Sequence, residues 1–168
     1  MWPDIINGRK LSIGMKILGI DPGSSRTGYG LIEKQGSQLK FLKAGTLEIK
    51  TVDPNQKLIY LAKYFKKLIA SCQPNLVVIE KIYFSKNVKT AIEVAQARGV
   101  IIFLTLDRKI PVLEVSPQQA KSAVTSYGAA DKKAVAKMVY ILLKRNSVEK
   151  LDDTTDALAI AIAGAGLT

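Results

Sequence analysis

An α/β fold, a mixed sheet with helices packed on its faces, is predicted by three features of this chain. Three strand-like stretches follow one another near the start, and segments of helical and strand period then alternate. The later strands are short, continuous apolar runs of the kind buried on both faces. At 168 residues and 48% hydrophobic composition the chain suits one domain with a substantial core. It has no internal repeat, long linker or low-complexity segment.

Met15 to Asp21 (MKILGID) and Gly28 to Glu33 (GYGLIE) read as two strands joined by a turn rich in Pro, Gly and Ser. Leu39 to Ile49 supplies a third after the polar turn KQGSQ, which makes a meander. From Asn55 to Ser71 the period changes: Leu58, Leu61, Ala62, Phe65 and Ile69 share one helical face, and Lys63, Lys66 and Lys67 take the other. Asn75 to Glu80 (NLVVIE) is apolar and β-branched, a buried strand that ends in an acid. Residues 87–106 form a second helix, within which Val100 to Leu104 fit a buried helix or a strand equally well. Pro111 to Val115 is a last strand. Ser116-Pro117-Gln118-Gln119 then starts a short helix with a capping hydroxyl, proline at the first helical position and Gln at the third. Asp131 caps a helix running to about Arg145, and residues 152–165 make the final one.

Net charge is +11, from 25 Lys and Arg against 14 Asp and Glu. A surface this positive points first to nucleic acid as the partner. There is no histidine, so base chemistry at neutral pH requires a shifted carboxylate or lysine, or a metal-bound water. The longest apolar runs, Val100 to Leu104 and Ala157 to Ala163, are far shorter than the roughly 18 residues of a membrane span. Residues 1–14 lack the apolar run of a secretory signal, and Cys72, the only cysteine, has no internal partner. A reducing cytoplasm is the expected compartment.

Acids stand where the chemistry is expected. Asp21 and Glu80 each end a buried strand, and the carboxyl edge of an α/β sheet is where ligands bind. A third cluster, LDDTTDALAIAIAGAG, opens the last helix. Asp152 or Asp153 alone would be explained as a cap complementing the helix dipole, worth about 0.3–1 kcal/mol. Asp156 lies deeper, three residues from Asp153 and four from Asp152, so both pairs share a face and helix geometry does not choose between them. Gathered carboxylates repel unless a cation neutralises them. Mg²⁺ or Mn²⁺, with hard oxygen ligands, suits a chain without His ligands. Two such ions, about 3.5–4 Å apart, would activate a water and stabilise the leaving oxygen of a phosphodiester.

As an ordered set, MKILGIDPGSSRTGYGLIE, VVIEKIYFSKN, AQARGV, VSPQQAKSAVTSYGAADKKAVAKMV and DDTTDALAIAI resemble the bacterial RuvC family of Holliday junction resolvases, over Met15 to about Ala163. The resemblance implies a ribonuclease H-like fold with a five-stranded mixed sheet flanked by helices on both faces. It also implies a homodimer, and Mg²⁺-dependent nicking of two strands placed symmetrically across a four-way DNA junction. Branch-migration partners RuvA and RuvB are implied by the family alone. The family's four catalytic, metal-binding acids fall on Asp21, Glu80, Asp153 and Asp156, so motif register selects Asp153 over Asp152. Some members carry histidine at the third position, and this chain has Asp. The family's junction-contacting aromatic falls on Tyr83, with Phe84 next to it, and which ring stacks is left open. Lys86 belongs to the same polar, DNA-binding loop. Lys121 and Lys132 match basic positions that hold the scissile phosphate or assist the leaving group. Residues 1–14 precede the family's usual start and are expected outside the nuclease domain, residues 15–168. Arg26 is displaced from the family's first-loop arginine.

Two other classes compete. Actin-like sugar kinases and chaperone ATPases also begin with an Asp-Gly strand-turn-strand, which accounts for GIDPGSSRTGYG equally well. They need two lobes, and 168 residues supply one. A non-catalytic junction-binding protein of the same fold would explain the charge, but not four acids gathered against their own repulsion.

Overall fold

The computed structural model describes residues 14–82, 88–144 and 152–168, the side chains of residues 88, 89, 152 and 153 excepted. The elements run β1 (Met15–Asp21), β2 (Arg26–Gln35), β3 (Gln38–Glu48), α1 (Pro54–Cys72), β4 (Leu76–Glu80), α2 (Val88–Asp107), β5 (Val112–Val115), α3 (Pro117–Thr125), α4 (Lys132–Leu142) and α5 (Asp152–Gly166). The strands form one five-stranded sheet in the order β3-β2-β1-β4-β5. β1, β2 and β3 make the expected antiparallel meander, and β4 and β5 run parallel to β1 and to each other.

Local chemistry sets the boundaries. The β2–β3 hairpin closes on Gly36-Ser37, with Gly36 at φ 59°, a left-handed conformation that tight two-residue turns require and glycine accepts without strain. The Asp53 side chain accepts from the Asn55 and Gln56 N–H groups to start α1, with Pro54 as its first residue. The capping box read at Ser116 and Gln119 is present at the start of α3, and Asp131 caps α4 through the Ala134 N–H. Val100 to Leu104 are helical: they lie within α2, whose inner face places Ala97, Ile101 and Leu104 in the core.

Two cores sandwich the sheet. On one face Leu18, Ile20, Val77 and Ile79 meet α1 and α2. On the other, Ile17, Ile32 and Val78 meet α3, α4 and α5. α5 is buried on nearly every side from Ala157 to Ala163, as expected of a helix apolar all round that lies between a sheet and two further helices. Among the described residues no helix is long and apolar enough to cross a membrane. Residues 1–13 lie outside the described residues.

Candidate active site

Strand alternation decides which face each acid takes. In β1, Leu18 and Ile20 enter the core shared with α1 and α2, while Ile17 enters the other core and Gly19 lies under α5. Asp21, next in that second series, therefore projects on the α5 side. In β4, Val77 and Ile79 face α1 and α2, whereas Leu76 and Val78 face α5, and Glu80 projects with the latter pair. Ile20 stands opposite Ile79 in the parallel ladder. Asp21 and Glu80 thus leave adjacent strand ends at the same level and on the same face.

The third acid arrives because two glycines let a helix lie directly on the sheet. Gly19 and Gly30 are paired across β1 and β2. A Cβ at Gly19 would collide with the Ala157 carbonyl oxygen and stand 2.6 Å from the Ala161 nitrogen, and one at Gly30 would stand 2.9 Å from the Leu158 nitrogen. Asp156 is the residue before Ala157, so the seat that fixes α5 also brings Asp156 to the carboxyl edge.

Electrostatics report the convergence. Glu80 is pushed up from an ordinary 4.5 to about 7, first by burial and then by the negative charges of Asp21 and Asp156, while Lys121 and Lys132 pull it back down. Lys121 comes from α3 and Lys132 from the first turn of α4. The Lys132 Nζ lies 3.6 Å from Asp156 Oδ2. Of the residues singled out in the sequence, Asp21, Asp156, Lys121 and Lys132 therefore all stand within electrostatic reach of Glu80. Asp153 lies one turn before Asp156 on α5, with its side chain outside the described residues, as are Tyr83, Phe84 and Lys86 altogether. Among the described residues no group of three or more acidic, histidine or cysteine side chains stands close enough to enclose a cation. Arg26 begins β2 and faces Glu48 across the ladder, with an ion pair of 3.5 Å between two exposed side chains. Sequence reading gave no role to Arg98, although the AQARGV motif contains it.

A three-stranded meander extended by two parallel strands, with acids from the first and fourth strands meeting one from a helix laid across the sheet, defines a ribonuclease H-like protein with an acidic centre. The family model described as "Crossover junction endodeoxyribonuclease RuvC" matches residues 17–164. The chain belongs to this RuvC family. It is 43% identical over 150 residues to the crossover junction endodeoxyribonuclease RuvC of Caldicellulosiruptor saccharolyticus, covering 88% of this chain and 90% of that relative. To its counterpart in Brevibacillus brevis it is 42% identical over 152 residues, covering 90% and 92%. The structure of Thermus thermophilus RuvC in complex with Holliday junction substrate superposes with a TM-score of 0.83 at 26% identity, covering 90% of this chain and 93% of that one.

Proposed function

We propose that this chain is a structure-selective endonuclease that resolves four-way (Holliday) DNA junctions by paired, symmetric phosphodiester hydrolysis during recombination and repair. The observation that carries this reading is the convergence of Asp21, Glu80 and Asp156 with Lys121 and Lys132 at one sheet edge of a net-positive protein. Residues 15–168 act as the nuclease domain, with residues 1–14 as an extension to it.

Asp21, Glu80, Asp153 and Asp156 are the catalytic acids and metal ligands. The donor set fits a hard divalent cation: every donor is a carboxylate oxygen, and the burial and repulsion that push Glu80 up to about 7 are what a nearby cation would relieve. Two bound Mg²⁺ ions, or Mn²⁺ in their place, would supply an activated water and a stabilised leaving oxygen. The chain's own groups do the rest. Glu80 and Asp156, held on separate elements, orient the centre, and Lys121 and Lys132 hold the scissile phosphate against it. Tyr83, Phe84 and Lys86 come three, four and six residues after Glu80 in sequence and supply the junction contact, in which one of the two rings stacks on an unpaired base.

Two cuts placed symmetrically require two such centres, hence a homodimer. α2 offers a surface for it: Ile92, Phe103 and Leu106 are 51%, 66% and 54% exposed, and Gly99 opens onto empty space between them. Helical geometry puts these residues on one stripe, with room for close approach of a second α2. The RuvA and RuvB branch-migration complex is the further partner, and the cytoplasm is where the protein works. With Mg²⁺ the purified protein should cut a synthetic four-way junction in preference to a linear duplex of the same sequence. Equal cutting of both would overturn the reading.

A further inference from the structure

Arg98 reaches from α2 back to the carboxyl edge of the sheet. Its Nε donates to the backbone carbonyl oxygen of Glu80 at 3.3 Å, and its Nη2 lies 2.7 Å from Glu114 Oε1 on β5. Its side chain is only 20% exposed. One planar guanidinium therefore joins α2 to the ends of two strands, using donors that point in different directions; a lysine ammonium at the end of a flexible stem cannot reproduce this fork.

The Glu80 peptide has a particular need for such a hold. The ladder between β1 and β4 ends at Ile20 and Ile79, so Glu80 extends one residue past the pairing on that side. On the other side it is opposite Val115, and the next N–H, of Lys81, donates to the Val115 carbonyl at 2.8 Å. The Arg98 contact comes from the helix layer, on the sheet face opposite to the Glu80 side chain, since Ala97 and Ile101 of α2 pack with Val77 and Ile79. It grips the backbone and leaves the carboxylate to face Asp21 and Asp156.

We propose that Arg98 is a positioning residue: it fixes the Glu80 peptide so that the carboxylate is held at the acidic centre, and it ties that position to α2, the helix that carries the exposed apolar stripe. This rests on the reading of Glu80 as a catalytic acid. Displacing a reacting group by about 1 Å costs on the order of 100-fold in rate, so a lost grip on this peptide is felt in the chemistry while phosphate contacts made elsewhere persist.

The test compares Arg98→Ala, Arg98→Lys, Glu114→Ala and Glu80→Gln. Three quantities are read: the single-turnover cleavage rate on a four-way junction at saturating protein with Mg²⁺, the junction Kd in EDTA, and the Mn²⁺ concentration that half-saturates the rise in Tm. Arg98→Ala should cut at least 30-fold more slowly, bind the junction within twofold of wild type and need several-fold more Mn²⁺. Arg98→Lys, which keeps the charge and serves as the readout where the alanine variant does not fold, should fall between it and wild type. Glu114→Ala leaves the contact to Glu80 in place and should cut within threefold of wild type. A folded Arg98→Ala or Arg98→Lys protein that cuts at the wild-type rate overturns the proposal, as does a Glu114→Ala loss equal to that of Arg98→Ala. A rate loss matched by an equal loss of junction binding also overturns it. Glu80→Gln separates the two levels: if it cuts normally the catalytic reading itself fails, and if it is inactive while Arg98→Ala is fast, only the role of Arg98 fails.

Discussion

Glu80 links the charge balance of the site to the stability of the protein. Its carboxyl titrates near 7 in the folded chain against an ordinary 4.5, so folding favours the protonated form. The stabilisation from the neutral acid is fully present below about pH 4.5 and is lost as pH rises through about 7. At about 1.4 kcal/mol for each tenfold change, the full gap would be worth about 3 kcal/mol. Glu80 is only half-buried, and solvent screening reduces this to about 1–2 kcal/mol. Glu80→Gln mimics the protonated acid and does not titrate. In EDTA, urea unfolding of wild type and Glu80→Gln should give similar stabilities near pH 4.5, and Glu80→Gln should be more stable by about 1–2 kcal/mol at pH 8. Mg²⁺ should then recover stability in wild type far more than in the variant, because the cation relieves a repulsion the variant lacks. A difference that does not change with pH, or wild type gaining on the variant as pH rises, would refute the assigned electrostatics.

Four further outcomes follow, three of them from single residues. Gly19→Ala places a Cβ against the backbone of α5 at Ala157 and Ala161; overpacking of this kind costs about 1–3 kcal/mol, and because α5 carries Asp156, thermal unfolding and junction cleavage should both suffer. Thr27 is fully buried and its Oγ1 has no hydrogen-bond partner among the described residues, so Thr27→Val should raise stability by about 1 kcal/mol, measured by urea unfolding, with cleavage unchanged. Phe103→Glu puts a charge on the exposed stripe of α2 and should shift the protein to monomer in analytical ultracentrifugation. Junction affinity measured without divalent cation should fall steeply between about 50 and 200 mM salt as phosphate counterions are released; a flat response would exclude phosphate-dominated binding.

The sequence was most legible where one period or one cap decides the outcome. Asp21 and Glu80 end β1 and β4 as read, the capping residues Ser116 and Asp131 begin their helices as read, and β1 to β3 form the meander. Val100 to Leu104 resisted, since a buried strand and a buried stretch of helix share one apolar pattern; the helix prevails because Ile101 and Leu104, three residues apart, both reach the core under α1. Asp156 was singled out by its depth in the helix, but its approach to Glu80 depends on Gly19 and Gly30, whose missing side chains matter only once α5 is laid across them. The ion pair of Lys132 with Asp156 and the reach of Arg98 to Glu80 join residues 24 and 18 positions apart in the chain. No local period encodes such contacts. The family motif pointed to Lys132, whereas Arg98 had no comparable signal beyond its place in AQARGV.

The most direct test of the acidic centre is cleavage and binding of a four-way junction by wild type beside Asp21→Asn. The substitution removes one negative charge from the carboxyl edge and leaves the lysines and the fold in place. With Mg²⁺, wild type should release symmetrically nicked products while Asp21→Asn releases none, and both should bind the junction with similar affinity in EDTA. Cleavage by Asp21→Asn at the wild-type rate, or loss of junction binding together with loss of cleavage, would contradict the account.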